Sequence, residues 1–180
     1  MVLGGLAACS STGGQAAGEE TSGRIELGWS EGPRPVRFAT GAIARWCAAD
    51  SLLEITGTRN DTAVGLVLLS SAATPSGLGP GSYSVMPAGV FIPWRPRAIA
   101  ALRLAAATTV RSYQSESGQV SLTTGGGSAG PAGLSGTLDL LVKATSGSDS
   151  LHLTGSFRGL KIVSATSPCT RLDKPPPAPG

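Results

Sequence analysis

The chain has 180 residues, 41% of them hydrophobic but only 4% aromatic, with 26 glycines and 13 prolines. That size fits one domain with or without irregular ends, and such a density of turn formers excludes a helical bundle in favour of many short strands. The net charge of +3 comes from Arg and Lys scattered along the chain rather than from a basic block interleaved with aromatics, so no nucleic-acid partner is expected, and no apolar run approaches the ~18 residues of a membrane-spanning helix.

Near the start, Leu6-Ala7-Ala8-Cys9 places a Leu and two small residues ahead of a cysteine. This resembles the lipobox of bacterial lipoproteins. The resemblance implies that the Cys9 thiol receives a diacylglyceryl group, that the peptide before it is cut away, and that Cys9 becomes the N-terminus. The small residues make physical sense, because a peptidase working in the membrane plane must approach the backbone of Ala7 and Ala8 closely. Two or more acyl chains, at about 0.8 kcal/mol per buried methylene, hold a protein stably at a bilayer. Ser10 in the next position is similar to the Gram-negative pattern sorted to the outer membrane. Residues 1–8 are then a truncated signal peptide: Met1 to Gly5 supply neither the basic start nor the apolar run of about 7–15 residues of a full one. A coincidental match would leave instead a soluble cytosolic domain with an unmodified Cys9.

Residues 9–23 comprise the lipidated cysteine and a flexible tether, SSTGGQAAGEETSG, without periodicity. A Gly/Ser-type coil of this length spans about 20 Å. The folded domain is expected over 24–171. Ile25, Leu27 and Trp29 alternate with Glu26 and Gly28, the period of a half-buried strand. Glu31 to Pro35 breaks it, and a second extended stretch from Val36 to Trp46 sets Ala42, Ala44 and Trp46 on one face. Leu53 and Ile55 lead into a hairpin whose tip is Asn60-Asp61, residues that tolerate left-handed turn geometry. The return strand, Val64 to Leu69, is apolar on both faces and so predicts cover on each side.

Tyr83 and Val85 predict a short strand. RAIAALRLAAA, residues 97–107, suits a helix by composition and a strand by alternation of Ala98, Ala100, Leu102 and Leu104; its β-branched continuation favours the strand. Val110–Tyr113 and Val120–Thr123 are expected as two strands joined by a turn at Glu116–Gln119. Leu134–Ala144 and Leu151–Val163 follow as long strands around a loop at Thr145–Asp149. Ser117-Gly118-Gln119-Val120-Ser121-Leu122-Thr123, with the later Leu153-Thr154-Gly155-Ser156-Phe157, resembles the closing hairpins of uncharacterised bacterial lipoprotein sandwiches. Residues 172–180 form a Pro-rich, irregular tail. Eight to ten strands at this spacing predict an all-β antiparallel sandwich, with a closed barrel as the alternative.

With Cys9 assigned to lipid, Cys47 and Cys169 remain as an even pair in an oxidising compartment and are expected to form a disulfide; two buried free thiols are the alternative. Closing a loop of that length contributes about 4–5 kcal/mol in the chain-entropy model. Gly125 to Gly130 fits both a dinucleotide fingerprint and a nucleophile elbow at Ser128, but each needs a following helix, and a strand is expected instead. His152, the only histidine, would need Ser128 and Asp139 or Asp149 beside it to form a hydrolase triad, and it falls on the solvent side of its strand. One histidine gives no ordinary zinc site, and no cofactor is expected. Asp50 and Glu54 are expected to share a strand face. The strongest binding candidate is Phe91, Trp94, Arg95 and Arg97, an aromatic-plus-Arg cluster of the kind favoured at interfaces, or else a cap on the end of the fold. The expected function is that of a cell-envelope lipoprotein with a structural or binding role, its partners the membrane through the anchor and an envelope protein or polysaccharide. The runner-up is a secreted hydrolase acting on envelope polysaccharide or ester.

Overall fold

A computed structural model describes residues 23–70, 78–87, 96–106, 108–124 and 133–165. Ten strands run in chain order: β1 (Gly23–Glu31), β2 (Arg34–Cys47), β3 (Leu52–Arg59), β4 (Thr62–Leu69), β5 (Gly81–Val85), β6 (Arg97–Ala106), β7 (Thr109–Thr124), β8 (Leu134–Ala144), β9 (Ser150–Leu160) and β10 (Ile162–Ser164). Of the two all-β architectures expected, the closed barrel forms. It closes because β1 pairs on one edge with β2, from Gly23↔Ala42 to Glu31↔Arg34, and on the other with β9, from Arg24↔Arg158 to Gly28↔Thr154. No alternation pattern reveals which two edges meet, so closure is a property the sequence leaves open.

The ring is antiparallel, except where β5 enters. β6 and β7 form a hairpin that pairs directly from Ala106↔Thr109 to Ala101↔Gln114 and then splays. Into the gap slides β5, antiparallel to β7 and parallel to the start of β6, making nine strands in the closed ring. Ser115 completes this three-way junction. Its buried hydroxyl accepts the Ala100 N–H at 3.1 Å and donates to the Met86 carbonyl at 2.8 Å, pairing backbone groups near the splay. At the far end of β9, the short β10 continues alongside β2 in parallel, pairing with Ala44–Trp46, next to the Gly23↔Ala42 pair where the β1–β2 ladder begins.

Alternation puts one apolar face of every strand inside. Ile25, Leu53, Leu68, Leu102, Tyr113 and Phe157 are all essentially inaccessible and belong to one continuous core. A barrel of this strand number has an interior just wide enough for side chains to fill, and here apolar side chains fill it. The Phe157 ring lies where a Cβ on Gly136 would sit, so that glycine makes room for the largest inward side chain of β9. Both-faced burial of the return strand is observed as well. Val64, Leu66 and Leu68 face the core, while Val67 joins Cys47 and Leu52 in a small outer cluster that Leu69 and Ala165 flank.

The 97–106 segment is strand, in keeping with its alternation. Two local expectations are corrected. Glu116–Gln119 is not a turn: β7 runs unbroken for 16 residues, and Ser117, Gly118 and Gln119 pair with Leu141, Leu140 and Asp139. A register shift between Ser115 and Ser117, with Gly118 at φ +127°, leaves four consecutive exposed polar residues, which in sequence imitates a turn. Asp50 and Glu54 do not share a strand either, since Asp50 ends a 3-10 turn (Ala48–Asp50) and Glu54 lies in β3.

Candidate functional site

The residues singled out in the sequence scatter. Cys9, Phe91, Trp94, Arg95, Ser128 and Cys169 lie outside the described residues. Arg97 opens β6 and is only 4% exposed, which does not suit a surface docking role. Cys47 is disulfide-bonded, and both other cysteines of the chain fall outside the described residues.

His152 and Asp139 do come together. They project from adjacent strands β9 and β8, and His152 Nε2 donates to Asp139 Oδ1 at 2.6 Å. Both side chains are about two-thirds exposed, at 64% and 69%. In a Ser-His-Asp triad the carboxylate orients Nδ1 and leaves Nε2 to the nucleophile; here the carboxylate occupies Nε2, and open solvent surrounds the pair. Among the described residues no group of three or more His, Cys, Asp and Glu side chains is placed to hold a metal ion.

What this pair borders is a groove that local sequence reading does not bring out. The ladder between β1 and β9 stops at Gly28↔Thr154, although both strands continue toward their shared end of the barrel. Where they part, a cavity of about 310 Å³ opens, lined by Gly28, Trp29 and Ser30 on β1, by Arg37 and its neighbours on β2, and by Ser150, His152 and Thr154 on β9. The register explains its floor. Arg37, Gly28, Thr154 and Asp139 lie in one row across β2, β1, β9 and β8. Gly28 contributes no side chain to that row, and a Cβ there would find nothing nearer than 3.9 Å. The row is therefore interrupted between Arg37 and Thr154.

Arg37 is exposed and has no hydrogen-bond or ion-pair partner among the described residues. Trp29 is 6% exposed, and its indole Nε1 is buried without a partner. A buried polar group left in that state costs about 1–3 kcal/mol. A second cavity of about 370 Å³ adjoins the groove through Ser30, Ser150 and Leu151, and reaches Tyr113 and Asp149. Over it the tip of β1 is tied to β7 by Arg111 Nη2 donating to Glu31 Oε1 at 3.0 Å.

The sequence did carry one sign of the groove. A glycine within an alternating strand marks a close approach or a missing side chain, and Gly28 sits between Leu27 and Trp29. Its β2 wall lies one hairpin away, but its β9 wall comes from residues more than a hundred positions away, which no local pattern connects. The chain matches no protein-family model, no curated protein and no solved structure.

Proposed function

We propose that this protein is a cell-envelope lipoprotein, anchored through acylated Cys9, that holds a small disulfide-tied β-barrel off an outer-membrane surface to bind a partner or ligand rather than to catalyse a reaction. The observation that carries the reading is the disulfide at Cys47. Structural disulfides persist in oxidising, extracytosolic compartments, which argues for an exported chain and against the cytosolic alternative.

The course of β10 supports Cys169 as the partner. Ser164 pairs with Trp46, the Ala165 N–H donates to the Trp46 carbonyl at 2.9 Å, and Ala165 packs against the cluster that contains Cys47. Cys169 follows Ala165 by four positions in the sequence, and a chain can reach at most about 3.3–3.6 Å per residue. That pairing leaves the Cys9 thiol for lipid.

The barrel itself reads as a body displayed in water rather than one embedded in lipid. Its interior is apolar and filled, and its outer wall carries Arg24, Arg103, Asp139, Lys143 and Arg158 as exposed residues on β1, β6, β8 and β9. A membrane barrel has the opposite polarity, and Arg or Lys on its lipid face costs about 2–4 kcal/mol at the midplane. Binding must then occur on the outside or at an end. The test is detergent phase partitioning of the native protein beside a Cys9→Ala variant. Wild type in the detergent phase with the variant in the aqueous phase supports the anchor; both in the aqueous phase refutes it.

A further inference from the structure

We infer that the groove between β1 and β9 is a binding site for a small oxyanion-bearing ligand, a carboxylate or phosphate carried on a small molecule, held by Arg37 beside Trp29. The inference rests on the barrel alone and not on the anchor, so a Cys9→Ala protein binds as wild type does.

Four observations converge on it. First, among the described residues the ionisable side chains in the groove wall are Arg37 and His152, and both are basic. Of the carboxylates bordering it, Asp139 is engaged by His152 Nε2 and Glu31 by Arg111. Second, the other polar side chains of the wall, Ser30, Ser150, Thr154 and Trp29, can all donate hydrogen bonds. A wall of donors with positive charge complements an acceptor with negative charge, and Arg in particular pairs with carboxylate or phosphate through two parallel N–H bonds. Third, Trp29 lines the groove, and its indole N–H is buried with no hydrogen-bond partner among the described residues, so its surroundings report on occupancy beside it. Fourth, the space is made by the fold rather than by a loose loop. Gly28 interrupts the cross-strand row between Arg37 and Thr154, and the end of the β1–β9 ladder opens the gap beside it. At about 310 Å³ the groove lies at the small end of ligand sites, the size of one sugar or one short acid.

The geometry also supplies a clean way to fill the site. A Cβ at Gly28 meets only ordinary contacts, so Gly28→Val occupies the floor while keeping a residue well suited to a strand. Arg37→Gln removes the charge from an exposed side chain that pairs with nothing among the described residues.

The experiment follows the Trp29 indole N–H resonance of isotope-labelled protein during titration with glucuronate, glucose 6-phosphate and neutral glucose. The expected result is a saturable shift with one or both anions, with a Kd of about 1 mM or tighter, and none with glucose. Response to glucuronate alone assigns a carboxylate ligand, response to glucose 6-phosphate alone a phosphate ligand, and response to both a site that reads charge. Arg37→Gln should weaken binding about tenfold or more, and Gly28→Val should abolish it with an unchanged melting temperature. Absence of any Trp29 shift, equal binding of glucose, or wild-type affinity in Arg37→Gln would each overturn the inference. The Arg37→Gln arm decides the matter even if Gly28→Val does not fold.

Discussion

The two ends of the barrel are built on different terms. One end carries the turns of the β1–β2, β3–β4, β6–β7 and β8–β9 hairpins; there the β1–β9 ladder gives out, a buried indole N–H lacks a partner, and the tip of β1 is tied down by a partly exposed ion pair. At the other end β5 is wedged between β6 and β7, β10 pairs with the last residues of β2, Cys47 is disulfide-bonded, and an outer apolar cluster backs the wall. The contrast teaches where a barrel with a filled interior keeps room for a ligand. The reinforced end secures the closure, and the unreinforced end can leave a seam open without losing the core.

Substitutions at the two ends should therefore differ in size. The largest effect is expected from removing the disulfide. Cys47→Ser should lower stability by about 2–5 kcal/mol in urea unfolding, and a loss under about 1 kcal/mol would mean that this end does not depend on its crosslink. Next comes Ser115→Ala, which strips the buried Ala100 N–H and the part-buried Met86 carbonyl of their partner at the junction of β5, β6 and β7. A loss of about 1–3 kcal/mol is expected, with the earliest hydrogen exchange appearing at the Ala100 amide.

Tyr83 gives this reinforced end a pH signature. Burial pushes its phenol above the ordinary 10.0, partly opposed by a hydrogen bond with Ser70. The unfolded chain then gives up that proton first, so stability is intact below pH 10.0 and declines as pH rises from there toward the raised folded value. Melting temperatures measured from pH 9 to 11.5 should fall less steeply in Tyr83→Phe than in wild type. The smallest effect belongs to the hairpin end, where Glu31→Gln breaks the tie to Arg111. With both side chains a third or more exposed, the loss should lie between about 0 and 1 kcal/mol before further discount for solvent screening, while exchange at the tip of β1 quickens. A loss as large as that of Ser115→Ala would erase the distinction between the ends.

How much of this was legible in the sequence follows from range. The β3–β4 hairpin was plain because Asn60, which takes φ 51°, lies between two apolar runs, and β6 was readable as a strand because its alanines and leucines alternate so that one face is buried. Within β7, a bulge made paired residues look like a turn, since alternation is the only signal and a bulge resets it. Closure and the groove were not legible, because both depend on residues near 28 meeting residues near 154, and composition holds no record of that pairing. The exposed orientation of His152 was readable from strand phase, whereas its approach to Asp139 required the β8–β9 register.

The proposed anchor is a covalent one, and intact-mass measurement of the native protein extracted from membranes is its decisive test. A chain that begins at Cys9, heavier by a diacylglyceryl group and lighter by the two hydrogens of one disulfide, is expected. A chain that still carries the residues before Cys9 and has three reduced thiols would contradict it.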